Sequence, residues 1–370
     1  MALNEMHAEA VAGIVDRVAT RYRRDPVNML QILREVQEAC DWLPPDAIDR
    51  LQTVLGVPRT KIEGVAGFYS FLYTQPRGKY RLLFSDNITD RMLGSQPLIE
   101  RLCENLWIEP GKTSEDGLVS VDLTSCTGMC DQGPAVLINH HRVITRLTPG
   151  RIEHMAALIE RQVPIEQWPA EWSRVDNQIR LANVKLGDQP APGQGIAAAV
   201  ARGPQAMLDD LKRSKLRGRG GAGYATGTKW QLCRNAKGST HYVVCNADEG
   251  DSGTFADRML MEGDPFQLVE GLAICAHAVG AQTAYIYTRS EYPHAIAKLR
   301  AAISLAQDII APLHMEVREG AGAYVCGEES ALIESLEGKR GVPRNRPPYP
   351  VTNGFLNKPT VVNNVETFAA

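Results

Sequence analysis

No apolar run in the 370 residues reaches the ~18 needed to cross a bilayer, so a helical membrane span is excluded. Met1 to Glu9 offers no basic segment followed by an apolar core, so a secretory leader is not expected. Charge of one sign is also missing. The formal net charge is −3, and nothing global points to nucleic acid or a membrane surface. Cysteine is sparse: eight residues over this length do not make a disulfide framework, and without a leader they suit a reducing cytoplasm. What remains is an ordinary globular composition, 44% hydrophobic and 22% charged, and room for two or three domains.

The chain is organised around Leu216 to Trp230, where five of fifteen residues are glycine and three are basic. Glycine permits positive φ and lets a ligand approach bare peptide. Exposed N–H groups with cations nearby suit a phosphate, although a solvated loop would read the same way. Gly218-Arg-Gly-Gly-Ala-Gly223 fits the dinucleotide pattern formally, but the residues before it read as helix (Ala197 to Arg213), not strand. A helix from about Thr228 to Asn235 should follow. His241 to Cys245 reads as a strand ending in Asn246-Ala-Asp-Glu-Gly-Asp-Ser-Gly-Thr254, the polar end of an α/β sheet, where Asp248 and Glu249 suit ribose or ribityl hydroxyls. Helices at Pro265 to Val279 and Tyr292 to Ala306 alternate with a strand at Thr283 to Tyr287, which predicts a mostly parallel sheet. Cys275 and His277 read as structural. Gly320 to Ile333 carries Glu328 and Glu329 at a helix start, as caps or site groups. Pro343 to Pro350 holds Arg346 and Tyr349 in a rigid basic turn, and Asn363 and Asn364 close the pattern.

The first half begins with four predicted helices: 5–23, one with its apolar side at Met29 to Val36, Asp46 to Leu55, and one capped by Thr60 and running to Phe71. Strands then follow at Tyr80 to Phe84, Val119 to Leu123, Ala135 to Asn139 and Arg142 to Leu147, with helices at Pro97 to Leu106 and Arg151 to Arg161. His140 and His141 are expected as exposed turn residues. Cys126-Thr-Gly-Met-Cys130 is spaced either to ligate one iron or to hold two buried thiols. Pro164 to Gly195 reads as a linker with a short strand or arm near Ile179 to Leu186.

Val36-Gln-Glu, Trp42-Leu-Pro-Pro, Gly64-Val-Ala-Gly-Phe-Tyr-Ser, Pro76-Arg-Gly-Lys, Asp116-Gly and Cys126-x-x-x-Cys130-Asp resemble the thioredoxin-like iron–sulfur subunit of respiratory complex I. Leu216 to Trp230, Cys245 to Thr254, Gly320 to Leu336 and Lys358 to Thr367 resemble its NADH-binding flavoprotein subunit. Both in one chain resemble the diaphorase flavoprotein of NAD-reducing hydrogenases. The resemblance implies an α/β architecture: a helical bundle (1–75), a thioredoxin-like domain (76–162), a linker (163–195) and a Rossmann-like FMN/NADH-binding domain (196–370). It implies FMN against Gly218, Arg219, Gly220, Lys229, Asn246, Asp248, Tyr324, Gly327, Glu328, Asn363 and Asn364. It places NAD(H) near Gly221, Gly223, Tyr224, Glu249, Glu329, Arg346 and Tyr349, with tyrosine at 224 and 349 where the family has phenylalanine. Hydride transfer between the two rings is the implied chemistry, with no essential side-chain acid or base. Cys126 and Cys130 are the candidate metal ligands, but the family's first cysteine pair is replaced by Ser85 and Asp90, so a 2Fe–2S cluster is not carried over. The family's 4Fe–4S motif is absent before Ala370, and a truncated chain is expected. Implied partners are an iron–sulfur diaphorase subunit and hydrogenase subunits. Complex I, a formate dehydrogenase, or a docking chain without turnover are the alternatives.

Overall fold

The computed structural model describes residues 2–176 and 191–370, with side chains from residue 8. The arm expected near Ile179 to Leu186 lies outside the described residues. Two four-stranded sheets carry the architecture. The first is β1 (Tyr80–Ser85), β2 (Val119–Thr124), β3 (Val136–Ile138) and β4 (Arg142–Ile144), in the order β2-β1-β3-β4. β1 and β2 are parallel, and the other pairs are antiparallel. The second is β5 (Tyr242–Ala247), β6 (Thr283–Thr288), β7 (His314–Glu319) and β8 (Thr360–Asn364), in the order β7-β6-β5-β8 and parallel throughout. That order makes the connections run one way from β5 and then reverse, placing a switch point between β5 and β8.

A parallel sheet needs both faces covered, and alternation along these strands sorts the residues by face. Val243, Cys245, Ala284, Ile286 and Val361 pack with helices Pro265–Val279 and Pro293–Leu305. Val244, Tyr287 and Val362 share a core with Val15, Ile32, Leu33, Leu51 and Ile62 from the N-terminal helices Ala2–Arg21, Met29–Cys40, Pro45–Leu55 and Arg59–Ala66. The helices expected at 1–75 pack on one another in a core that continues onto this face of the sheet, so they also supply its second cover. The joint is also polar. The buried Gln31 donates from Nε2 to the Glu319 carbonyl at 2.8 Å, and the Tyr69 hydroxyl reaches Ser335 Oγ and the Lys339 carbonyl at 2.7 Å each.

Other boundaries differ from the sequence reading for local reasons. The fourth helix starts at Arg59, after Pro58, and stops at Ala66, so Thr60 lies inside it and is not its cap. The stretch expected as linker is packed at its start. Trp168 and Trp172, on short 3₁₀ turns, enter the core of the first sheet, and Arg142 binds the carbonyls of Trp168 and Pro169. His140 is half-buried, sits at a left-handed φ of 63°, and hydrogen-bonds the Tyr73 hydroxyl through Nε2 at 2.8 Å.

Gly338 tests the shared core. Its φ is +71°, and a Cβ there would meet the Pro26 carbonyl at 2.6 Å, where the N-terminal helices dock. Gly338→Ala is expected to lower unfolding stability by about 2–3 kcal/mol in urea titration, since strain and a backbone collision add. Gly111→Ala, at φ +82° in open space, should cost only about 1 kcal/mol.

Candidate cofactor site

The site forms at the carboxyl ends of β5 and β8, where Asn246 and Asn364 stand opposite one another in the ladder. The glycine loop folds over this edge as a closed turn. Gly218 N–H donates to the Tyr224 carbonyl at 2.8 Å, and Arg217 pairs with Ala225 as an isolated bridge. Between them Gly221 and Gly223 take φ of +107° and +62°. Helix Thr226–Asn235 starts directly after the turn, and its N-terminal end adds a positive dipole to the loop. The Arg219 N–H donates to Thr367 Oγ1 at 2.9 Å, and a Cβ on Gly220 would come within 3.3 Å of the Asn364 Cβ. Only glycine leaves that approach open.

Charged side chains link the surrounding loops. Lys229 Nζ donates to the Val362 carbonyl at 2.6 Å and pairs with Glu329 at 3.0 Å. Arg346 bridges Glu329 at 3.1 Å and Glu328 at 2.5 Å. Glu328 also caps helix Glu329–Leu336, accepting from the N–H groups of Ser330 and Ala331, because that helix begins with no other acceptor. Asn246 Nδ2 donates to the Gly327 carbonyl at 2.8 Å, and Asn363 Oδ1 accepts from Trp230 Nε1 at 2.9 Å. Tyr224, Tyr324 and Tyr349 remain exposed, with Tyr324 hydrogen-bonded to Asp251.

The structure thus brings Arg219, Gly220, Lys229, Asn246, Gly327, Glu328, Glu329, Arg346, Asn363 and Asn364 into one connected edge. Gly218, Gly221, Gly223 and Tyr224 belong to the glycine turn, and Tyr349 stands exposed beyond Arg346. Glu249 departs from its expected place. Its carboxylate accepts from the N–H groups of Asp257 and Arg258 at 3.1 Å each and from the Tyr292 hydroxyl at 3.0 Å. It caps helix Ala256–Gly263 from behind the crevice rather than presenting free oxygens to a ribose. Sequence reasoning also missed Asp257, whose two carboxylate oxygens accept from Asn364 Nδ2 at 2.9 and 3.0 Å. Thr367, Arg289 and Tyr292 were missed as well; only their neighbourhood to polar strand ends hinted at them.

Burial tunes the acids here. Asp248 is pushed up to about 7 by burial, with Arg289 offsetting part of the effect. Asp257 is pushed up to about 8, again by burial first and then by the Glu249 charge. Asp248 also lines a cavity of about 270 Å³, bounded by Ser70, Thr124, Ser125, Gly250, Arg289 and Tyr324, where the two halves of the chain meet.

The residues fit a phosphorylated flavin on one structural ground beyond pattern. Thr226 Oγ1, buried at the first turn of the helix after the glycine loop, has no hydrogen-bond partner among the described residues. The iron ligands fit less well. Cys126 and Cys130 are buried with their sulfurs 3.4 Å apart, but Asn87 Nδ2 stands between them and the two positions that would complete a cluster. It donates to Ser85 Oγ, to Asp90 Oδ2 at 2.8 Å and to Cys126 Sγ at 3.4 Å, and contacts Cys130 Sγ at 3.8 Å. Among the described residues no three His, Cys, Asp or Glu side chains are arranged to hold a metal ion. The Asn87 amide lies between the two thiols and Ser85 and Asp90, so of the two readings of this pair these contacts favour buried thiols.

With this geometry in place, the comparisons define the class. Residues 15–160 match the thioredoxin-like [2Fe-2S] ferredoxin family, and residues 211–370 match the Nuo51 FMN-binding domain family. Each half of the chain is thus similar to one domain family, and the two are joined in one polypeptide. As a whole it is homologous to the NAD-reducing hydrogenase HoxS subunit alpha of Cupriavidus necator, 36% identical over 96% of this chain and 63% of that protein. Its second half is 50% identical to an NADH-quinone oxidoreductase subunit of Aquifex aeolicus, over 48% of this chain and 43% of that protein. A crystal structure of an air-oxidized NAD+-reducing [NiFe]-hydrogenase superposes with a TM-score of 0.88 at 41% identity, covering 94% of this chain and 60% of that one. The chain spans less than two thirds of the length of each of these relatives.

Asp248 generates a pH prediction. Its folded pKa lies above the unfolded value, so the fold binds its proton more tightly than the unfolded chain does. The favourable contribution is full below about 4 and is lost as pH rises through about 7. Without added flavin, Asp248→Asn is expected to gain roughly 2–4 kcal/mol over wild type at pH 8, shrinking towards zero near pH 4. Urea unfolding at the two pH values checks it.

Proposed function

We propose that this chain is the FMN- and NAD(H)-binding part of an NAD-dependent oxidoreductase, the diaphorase flavoprotein of a soluble NAD-reducing hydrogenase. The carrying observation is the meeting of the glycine turn with paired Asn246 and Asn364 at the β5/β8 switch point. Similarity of nearly the whole chain to a single hydrogenase subunit supports that assembly over complex I, where the two halves resemble separate subunits.

In this reading the close backbone approach at Gly220, the helix start at Thr226 and the Lys229 ammonium hold the flavin phosphate and its polar chain. Asn246, Asn363, Asn364, Gly327 and Glu328 surround the ring system, with Asp248 and Tyr324 at its edge. Gly221, Gly223, Tyr224, Glu329, Arg346 and Tyr349 receive the dinucleotide, the exposed tyrosines offering flat apolar faces and Arg346 a fork for phosphate. Glu249 acts one step back, fixing helix Ala256–Gly263 and through Asp257 the Asn364 amide. When bound, FMN supplies a two-electron acceptor for hydride that also releases electrons singly. The protein orients the rings and excludes water, and the reading assigns no side chain to exchange a substrate proton. Iron–sulfur and hydrogenase subunits are the proposed partners and the cytoplasm the proposed compartment. Among the described residues no helix is long and apolar enough to cross a membrane.

FMN titration by fluorescence quenching tests the assignment. Gly220→Val, which fills the approach beside Asn364, should weaken FMN at least tenfold with an unchanged circular dichroism spectrum. Equal affinity would contradict it. Tyr349→Ala should leave FMN binding intact and weaken NADH about fivefold, the order of one lost ring stack.

A further inference from the structure

The Cys126–Cys130 loop holds two buried thiols side by side. The two sulfurs share a hydrogen bond at 3.4 Å. Cys126 Sγ also accepts from the Gly128 N–H at 3.2 Å and from Asn87 Nδ2 at 3.4 Å. Donors converging on one sulfur favour its thiolate, with the neighbouring thiol as a second partner. Thr124 and Ser125, just before the pair, line the 270 Å³ cavity.

The loop is also gripped by the flavin-binding half. Cys130 Sγ accepts from the Gly253 N–H at 3.3 Å, and Arg289 joins the Cys126 carbonyl to the Glu249 carbonyl. Arg258, fully buried, pairs with Asp131 at 2.7 Å, and Gly128, at φ +71°, lies so close to Tyr292 that any Cβ would collide with the ring. Gly253 and Glu249 sit on the loop after β5 that shapes the crevice.

We propose that Cys126 and Cys130 form a reversible disulfide, a two-electron redox site standing where the related domains hold iron, and that its closure weakens cofactor binding through the Glu249–Gly253 loop. With hydrogen peroxide as oxidant, the Cys126 thiolate attacks one peroxide oxygen. The S–O bond forms, the O–O bond breaks, and the departing hydroxide takes a proton to become water. The Cys130 sulfur then attacks the Cys126 sulfur. The S–S bond forms, the S–O bond breaks, and the Cys130 proton leaves with the hydroxyl as a second water. Two thiols have given two electrons to one peroxide, and a dithiol reductant reverses the change by exchange. Closure to about 2.05 Å brings the sulfurs together by more than an ångström and shifts the Cys130 sulfur that accepts from the Gly253 N–H. The coupling half of the proposal rests on the flavin-site reading above; the disulfide half does not.

The test uses the full chain, reduced, desalted, exposed to one equivalent of hydrogen peroxide, alkylated and digested with trypsin. Both cysteines fall in the peptide after Lys112 and ending at Arg142. That peptide is expected unalkylated and lighter by two hydrogens, with reactive thiols falling from eight to six and returning after dithiothreitol. Cys130→Ser should stop at a Cys126 sulfenic acid, trapped by dimedone. FMN affinity should fall at least threefold in the oxidised chain. Two alkylated cysteines in that peptide after peroxide would overturn the proposal, as would stoichiometric zinc or iron released from the reduced chain by a thiol reagent. Equal FMN affinity in both states would remove the coupling. If FMN binds neither state, the flavin assignment fails while the peptide mass still decides the disulfide.

Discussion

The second sheet depends on having both of its faces covered. Its four strands are parallel, and residues of opposite parity along β5, β6 and β8 enter two different cores. One face is closed by helices from the same half of the chain. The other is closed by helices from the first 70 residues, sequence-distant elements that meet it through apolar contact and a few buried hydrogen bonds such as Gln31 to Glu319. Burial of apolar area on that face is the largest favourable contribution available to the joint, so the N-terminal helices are part of the fold of the binding half rather than an appendage.

The same packing explains where the site lies. With two faces occupied, the open positions are the sheet's ends, and the strand order reverses between β5 and β8 at the carboxyl end. Asn246 and Asn364 are fixed there by ladder register, not by their own rotamers. From that edge, polar connections run outward in two directions. One passes through Lys229, Glu329 and Arg346 to the basic turn. The other passes through Asp257, Glu249, Arg289 and Arg258 to the cysteine loop of the first sheet. The thioredoxin-like domain therefore touches the rear of the crevice through buried, charge-assisted bonds, whose loss would be costly in that low-dielectric setting.

Much of this was legible in the sequence. Apolar, β-branched and aromatic runs marked β5 and β6, because strands buried on both faces carry continuous apolar segments. Pro265 to Val279 announced its helix from a proline start to a glycine stop. The glycine turn and the paired asparagines were visible as motifs, and the structure brings them together. Other features depend on contacts that no local pattern encodes. Glu249 looks like a ligand group in sequence and serves as a helix cap, because Asp257 and Arg258 fold back onto it. Asn87 is an ordinary polar residue until three elements converge on its amide. Trp168 and Trp172 lie in a proline-rich stretch that reads as linker, yet their area buries into the first core. Such cases turn on tertiary position, which competes with local composition and wins.

One measurement tests the central claim most directly: the visible spectrum of the purified chain, reconstituted with FMN and desalted, before and after NADH without air. The account predicts a retained flavin band that bleaches within seconds of NADH addition. A chain that loses FMN on desalting, or keeps a band that NADH leaves unchanged, would contradict the assignment of the β5/β8 crevice.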